Sequence, residues 1–343
     1  MMRRGPLAAA LILGLILGLL LIWLASVLLR PLNCEGTVSI ARSKVSISPF
    51  IRLISREAGT VQLFTVRIGA RLGLWISGRT VQPGWYDFRP DMTALDAITM
   101  IVLGRSEPLI KVTIPEGYTI ERVARRLSTR ANIDSAAFVA WCSADSVRQR
   151  YGVQTPTMEG FLMPDTYFVL RCDEVDYVGT MMASHARRVW SKLPGLDSSA
   201  DWNERLRLAT LASIVQLEAA VDDEMPAIAG VYANRLRIGM LLQADPTVQY
   251  LTGRDRITGA ELRDASNRYN TYVHKGLPPG PIGNPGRLAL EAACRPQSHD
   301  WLFFVARGDT TRRHRFARTL NEHNANVRLY REARRNAANT SLN

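Results

Sequence analysis

Leu206-Arg207-Leu208-Ala209-Thr210-Leu211-Ala212-Ser213-Ile214-Val215-Gln216-Leu217-Glu218-Ala219-Ala220 is the stretch on which the reading of this chain turns. Its apolar residues fall at helical spacing, and a second helix follows, with Pro226 in its first turn, Gly239 near its end and Asp222-Asp223-Glu224 between the two. Glu218 stands out, because its neighbours at i−7, i−4 and i−3 are Leu211, Ile214 and Val215. A carboxylate on an apolar face is withdrawn from water, which disfavours its charged form and raises its pKa. A general acid working near neutral pH needs that property. The competing reading is that Glu218 only ends the helix at the edge of the core.

Outward from this pair the elements are mixed. Toward the C-terminus come a Pro/Gly-dense loop from Gly276 to Gly286, a short helix near Leu288 to Ala293, and a strand expected to be buried, Trp301 to Ala306, turning at Gly308-Asp309. Toward the N-terminus, Lys111-Val112-Thr113-Ile114 reads as a strand and Pro115-Glu116-Gly117 as a turn. Thr119 then caps a helix carrying Ile120, Val123, Ala124 and Leu127. Before that, Val38 to Ile47 alternates as a strand does, Pro49 to about Glu57 is helical, and Val61–Ile68 and Leu72–Ile76 are further ordered segments. Gln82-Pro83-Gly84 turns into the aromatic strand at Trp85-Tyr86, and Asp91 to Leu103 is a helix capped by Thr93 and closed by Gly104. The class is α+β.

Leu7 to Leu29 is a run of 23 residues without a charge. At about 1.5 Å per residue it outspans a hydrocarbon core of about 30 Å, so it reads as one transmembrane helix. A cleaved signal peptide would have a shorter apolar region and a small-residue cleavage site. A lipoprotein anchor at Cys34 would want small residues where Leu32 and Asn33 stand. Arg3 and Arg4 precede the run while Arg30, Arg42 and Lys44 follow it, so charge leaves the orientation open.

The chain has 343 residues, 47% of them hydrophobic, enough for about two soluble domains. Its net charge of +12 suits nucleic acid, anionic lipid or an acidic polymer. The basic runs Arg312-Arg313 and Arg328 to Arg335 read as solvated faces, and no nucleic-acid signature accompanies them, so no nucleic-acid partner is expected. Cys34, Cys142, Cys172 and Cys294 have no CxxC spacing and the five histidines form no HExxH, so neither a metal nor a cofactor is expected. GxSxG and Walker loops are also absent from the sequence. Carboxylate chemistry remains. A second carboxylate beside Glu218, as glycoside hydrolases usually need, would come from Glu159, Asp165 or Asp245, each of which also reads as a turn residue.

Several strings then stand together in order: Ile114-Pro115-Glu116-Gly117, Glu159-Gly160-Phe161-Leu162-Met163-Pro164-Asp165-Thr166-Tyr167, Leu211 to Glu218, Asn234-Arg235-Leu236, Leu242-Gln243-Ala244-Asp245-Pro246-Thr247-Val248, Tyr269-Asn270-Thr271-Tyr272 and Gly276-Leu277-Pro278-Pro279-Gly280-Pro281-Ile282. With them the sequence resembles the endolytic murein transglycosylases, the YceG-like or MltG family. The resemblance implies a short cytoplasmic N-terminus (residues 1–6), a transmembrane helix (7–29), a small LysM-like α+β domain (30–109), a mixed α+β catalytic domain (110–335) and a tail (336–343). It also implies an inner-membrane, single-pass protein with its catalytic part periplasmic.

The family's catalytic glutamate corresponds to Glu218. As a lytic transglycosylase it would cleave the MurNAc–GlcNAc bond of nascent peptidoglycan to leave 1,6-anhydro ends and so terminate strands. One acid/base residue suffices there, because the nucleophile belongs to the substrate. Glu159, Asn234, Gln243, Asp245, Asn270 and Tyr272 are the residues expected to bind the glycan. Many relatives carry two acidic residues in the stretch that here has Gln216 and Glu218, so Gln216 is a departure. Peptidoglycan strands, the membrane and peptidoglycan synthases are the expected partners. A non-catalytic peptidoglycan-binding scaffold and a water-using muramidase are the alternatives.

Overall fold

The computed structural model describes residues 5–40, 46–82, 84–104, 109–169, 173–196, 200–254 and 256–340. Arg3, Arg4, Arg42, Lys44, Pro83 and Cys172, named above, lie outside the described residues. The chain forms two compact units, Met1–Ile110 and Lys111–Asn343.

The first unit opens with α1 (Gly5–Leu29), an apolar helix without a charged residue. Its side chains are described from Leu13 onward, and counted over the residues so described no helix is long and apolar enough to cross a membrane. β1 (Gly36–Ile40) and β2 (Gly84–Phe88) pair antiparallel, Gly36 opposite Phe88 and Ile40 opposite Gly84. Between them run α2 (Ser48–Ile54) and α3 (Thr60–Ser77), and α4 (Ala94–Leu103) follows. The two ordered segments read from the sequence, Val61–Ile68 and Leu72–Ile76, are one helix. Gly69 and Gly73 do not break it because they lie where α4 comes closest, and a Cβ at either would press on Ile98 or Val102. Thr93 caps α4 in a capping box with Asp96, an arrangement worth about 1 kcal/mol, and Gly104 ends the helix in the left-handed region. Phe50 meets Tyr86 edge-on at 4.8 Å in the core, and the Tyr86 hydroxyl donates to the Gln82 carbonyl at 2.7 Å.

In the second unit β3 (Ile110–Thr113) pairs with β4 (Thr166–Val169), and α5 (Ile120–Ala131), α6 (Ser135–Ser143) and α7 (Asp145–Tyr151) lie between them in sequence. α8 (Val175–Trp190), α9 (Trp202–Glu218), α10 (Met225–Arg237), α11 (Asp245–Thr252) and α12 (Arg287–Cys294) follow, then the antiparallel hairpin of β5 (Phe303–Ala306) and β6 (His314–Ala317), and α13 (Leu320–Thr340). β5 is half-buried rather than buried, because it is one strand of a two-stranded hairpin.

α9 organises this unit. Every residue from Leu208 to Val215 is buried, so the helix is enclosed all round instead of presenting one apolar face. α10, α11 and α12 pack against it. A buried pair of hydrogen bonds fixes the hairpin to the start of α10: the His314 amide and Nδ1 both meet the Glu224 carboxyl group, Nδ1 at 2.8 Å. Among the described residues Cys34, Cys142 and Cys294 are free thiols.

Candidate active site

Glu218 is the last residue of α9, and Ala219 leaves the helix in an extended conformation. The helical phase read from the sequence and the position at the helix end are therefore both true of it. Glu218 is half-buried as a residue, and protein atoms crowd round its carboxyl group. That crowding pushes its pKa up to about 7. The Tyr232 hydroxyl, donating to Oε1 at 3.1 Å, works in the opposite direction, Asp245 pushes upward and Arg235 downward.

Tyr232 and Arg235 lie three residues apart on α10 and so share a face. Arg235 is buried, and it is held by backbone: Nε donates to the Leu302 carbonyl at 2.7 Å and Nη1 to the Leu242 carbonyl at 2.5 Å. Its charge is thus fixed in place near Glu218 without a bidentate carboxylate partner. Neither is among the residues expected to act, although Arg235 stands in the Asn234-Arg235-Leu236 string. The signal available for them was the i, i+3 spacing on a helix whose ends Pro226 and Gly239 mark.

Asp245 begins α11, and its carboxylate accepts from the Tyr272 hydroxyl. Two loops are laced together to bring these side chains near Glu218. The Gln243 amide donates to the Thr271 carbonyl at 3.1 Å, the Ala244 amide to Thr271 Oγ1 at 3.0 Å, and the Thr247 and Thr271 hydroxyls meet at 2.9 Å. Gln243 holds a left-handed backbone, φ +49°, and its side chain is exposed. Asp245 and Tyr272 are therefore brought near Glu218, while the Gln243 side chain faces solvent.

The other three expected glycan-binding residues brace the cleft. Asn270 is buried; its Nδ2 donates to the carbonyls of Glu261, Leu262 and Asp264, and its Oδ1 accepts from the Tyr272 amide at 3.0 Å. Asn234 pins α10 to the following segment through the His299 and Trp301 carbonyls at 2.7 and 3.1 Å. Glu159 is buried and accepts from the Ile120 amide at 3.1 Å and from Asn284 Nδ2 at 2.7 Å. Burial pushes its pKa up to about 8, against the pull of the Ile120 amide. Asp165 stands apart from Glu218, exposed and beside His185 at 3.4 Å.

Asn284 is the centre of that brace. Its Oδ1 accepts from the Gly160 and Leu162 amides at 3.0 and 3.1 Å, and its Nδ2 also donates to the Tyr118 carbonyl at 2.9 Å. Gly160 is required there, because its φ is +84° and a Cβ would collide with Pro281. Gln216 accepts from the Gly286 amide at 2.9 Å through Oε1 and hydrogen-bonds the Glu116 carboxyl. An amide supplies both an acceptor and a donor, which a second glutamate could do only when protonated. The departure at residue 216 thus has a local physical reason.

A groove of about 620 Å³ opens beside Leu217 and Pro246, the neighbours of Glu218 and Asp245, and Arg122, Arg125 and Arg254 lie along it together with Glu121. Its size suits a sugar chain and its charge an acidic one. A separate apolar cavity among Phe161, Trp190 and Trp202, about 50 Å³, is too small for a sugar ring. Among the described residues no group of His, Cys, Asp and Glu is arranged to hold a metal.

A family model described as the YceG-like family matches residues 53–329. An endolytic murein transglycosylase of Bacillus subtilis is 28% identical over 266 residues, covering 71% of this chain and 71% of that protein. An endolytic murein transglycosylase of Streptococcus pneumoniae is 27% identical over 281 residues, 72% of this chain, which spans only 50% of that longer relative. A crystal structure of a yceG-like protein from Listeria monocytogenes superimposes with a TM-score of 0.54 at 27% identity, covering 85% of this chain and 98% of that one.

Proposed function

Since the chain belongs to the YceG-like family, we propose that it is an endolytic lytic transglycosylase that cuts nascent peptidoglycan strands, with Glu218 as the proton carrier. The observation that carries this is a glutamate with its pKa pushed up to about 7, held by Tyr232 beside Asp245, Tyr272 and Arg235, which supply fixed charge and hydrogen-bonding groups. At neutral pH such a group is present in both protonation states. It gives its proton to the glycosidic oxygen as the bond from C1 of N-acetylmuramic acid breaks. The resulting carboxylate then takes the proton of the C6 hydroxyl as that oxygen closes on C1. Atoms balance without water, and the product is a 1,6-anhydro end. Asp245 and Tyr272 lie where they would orient the sugar and offset charge at C1 in the transition state. The arginines along the groove suit stem-peptide carboxylates.

The same proposal places α1 across the inner membrane. A 25-residue uncharged helix is about 37 Å long, and Leu13 to Leu24 leave large apolar side chains uncovered by protein. The N-terminus would then be cytoplasmic and Lys111–Asn343 periplasmic, with the two-stranded, three-helix part of Met1–Ile110 as a LysM-like module and peptidoglycan synthases as neighbours in the membrane.

The test is mass spectrometry of glycan fragments after incubating uncrosslinked nascent peptidoglycan with the protein and with Glu218→Gln. Anhydro ends from the unaltered protein, with the variant slower by roughly 10²–10⁴-fold, are expected. Reducing ends, heavier by one water, would mean a muramidase. No cleavage by the folded protein would leave a glycan-binding scaffold.

A further inference from the structure

α3 is apolar on two opposite faces, and the fold covers only one of them. Val66 and Ala70 are fully buried, and Gly69 and Gly73 admit α4 on that side. Val61, Phe64, Ile68, Leu72, Trp75 and Ile76 form a second stripe, each between 47% and 79% exposed. At 3.6 residues per turn these six positions fall within an arc of about 120°. Single exposed apolar residues are ordinary, whereas six contiguous ones on one helix face mark a surface made for an apolar environment.

The chemistry of the helix narrows what that environment is. Its only charged residues are Arg67 and Arg71, both exposed and beside the stripe, and Thr60–Ser77 contains no acid. Trp75, an aromatic residue that favours the boundary between hydrocarbon and water, lies near its end. The start of α3 is tied to the point where α1 stops: Gln62 Nε2 donates to the Arg30 and Pro31 carbonyls at 3.2 and 3.0 Å. α3 also packs against α1 itself.

We infer that α3 is an interfacial helix, lying on the phospholipid leaflet from which α1 emerges, with its exposed stripe among the acyl chains and Arg67 and Arg71 at the phosphate level. This rests on the proposal that α1 spans the membrane. The helix then makes a second attachment beside the span, which fixes the rotation and tilt of the first unit against the bilayer as a single span does not.

The experiment uses the full chain reconstituted in vesicles of phosphatidylethanolamine and phosphatidylglycerol that carry a photoactivatable carbene on the acyl chain, with adducts located by peptide mass spectrometry. Adducts on α1 and on the stripe of α3 are expected. In Phe64→Ser/Leu72→Ser/Trp75→Ser, which changes only exposed side chains, labelling of the α3 peptide falls to background while that of α1 stays. Adducts on α1 with none on α3 overturn the inference and leave the span standing. Absence of adducts on both helices overturns the span and this inference together.

Discussion

Replacing Tyr232 by Phe deletes one oxygen and with it the hydrogen bond to Glu218 Oε1 at 3.1 Å. The phenol donates, so it favours the carboxylate over the carboxylic acid. Without it the pKa of Glu218, already raised to about 7 by burial, moves further up. A hydrogen bond to a charged group contributes about 1.5–3 kcal/mol, discounted here because Glu218 is only half-buried as a residue; a remainder of about 1.4 kcal/mol corresponds to about one pH unit. The groups that face Glu218, namely Asp245, Arg235 and Tyr272, are unchanged in the variant. Glu218 must be protonated to begin the reaction, so activity falls as pH rises through its pKa. The measurement is kcat/KM against pH on a uniform glycan oligomer. Tyr232→Phe is expected to carry the alkaline limb upward by about one pH unit, with a lower maximum because the carboxyl is less firmly placed. An alkaline limb that stays put or moves down, in a variant that melts as the parent does, would refute the assignment of Glu218 as the acid.

The buried hub gives two further expectations. Glu159 has its pKa raised to about 8 in the fold against an ordinary 4.5, so the fold favours its protonated form. Its contribution to stability is full below about 4.5 and is lost as pH rises through about 8, at up to about 1.4 kcal/mol per pH unit, visible as a falling melting temperature. Asn284→Ala strands the Gly160 and Leu162 amides and takes a donor from Glu159 Oε1, while the Tyr118 carbonyl keeps the amide of residue 284, and the variant is expected to cost about 3 kcal/mol in denaturant unfolding; a loss below about 1 kcal/mol would mean that water replaces the side chain. Gln216→Glu sets a second carboxyl beside Glu116, whose pKa burial already raises, so the variant should lose about 1 kcal/mol at alkaline pH and less at acid pH. Equal melting temperatures for parent and variant across that range would discard the account of residue 216.

What could be read from the sequence was what neighbours in the chain decide. Thr93 and Thr119 as caps, Pro226 and Gly239 as helix limits, and the phase of Glu218 are all local, and each element lies within a few residues of its expected place. α9 shows where that reasoning stops: a helix enclosed all round reads like an amphipathic one if only three neighbours of one residue are examined. The roles of polar residues are decided by partners far along the chain. Asn234 and Asn270 look like ligand-binding amides, yet their donors are taken up by the carbonyls of residues 299 and 301 and of residues 261, 262 and 264. Tyr232 is an unremarked aromatic in a string of apolar residues until the fold sets it against Glu218, and nothing local distinguishes Asn284.

The hub at Asn284 also sets a timetable. Its partners lie from 122 to 166 residues earlier in the chain, so the turn at Tyr118, the Gly160 bend and the Glu159 carboxylate come into register only when residue 284 arrives. Contacts of such long sequence separation form late, after the local helices, and a chain made from its N-terminus has most of its length behind it by then. Glu218 is already synthesised at that stage, but the walls around it are not closed. A partly made chain therefore carries the acid without the cleft, and the capacity to cut wall polymer arises only once the protein is nearly whole.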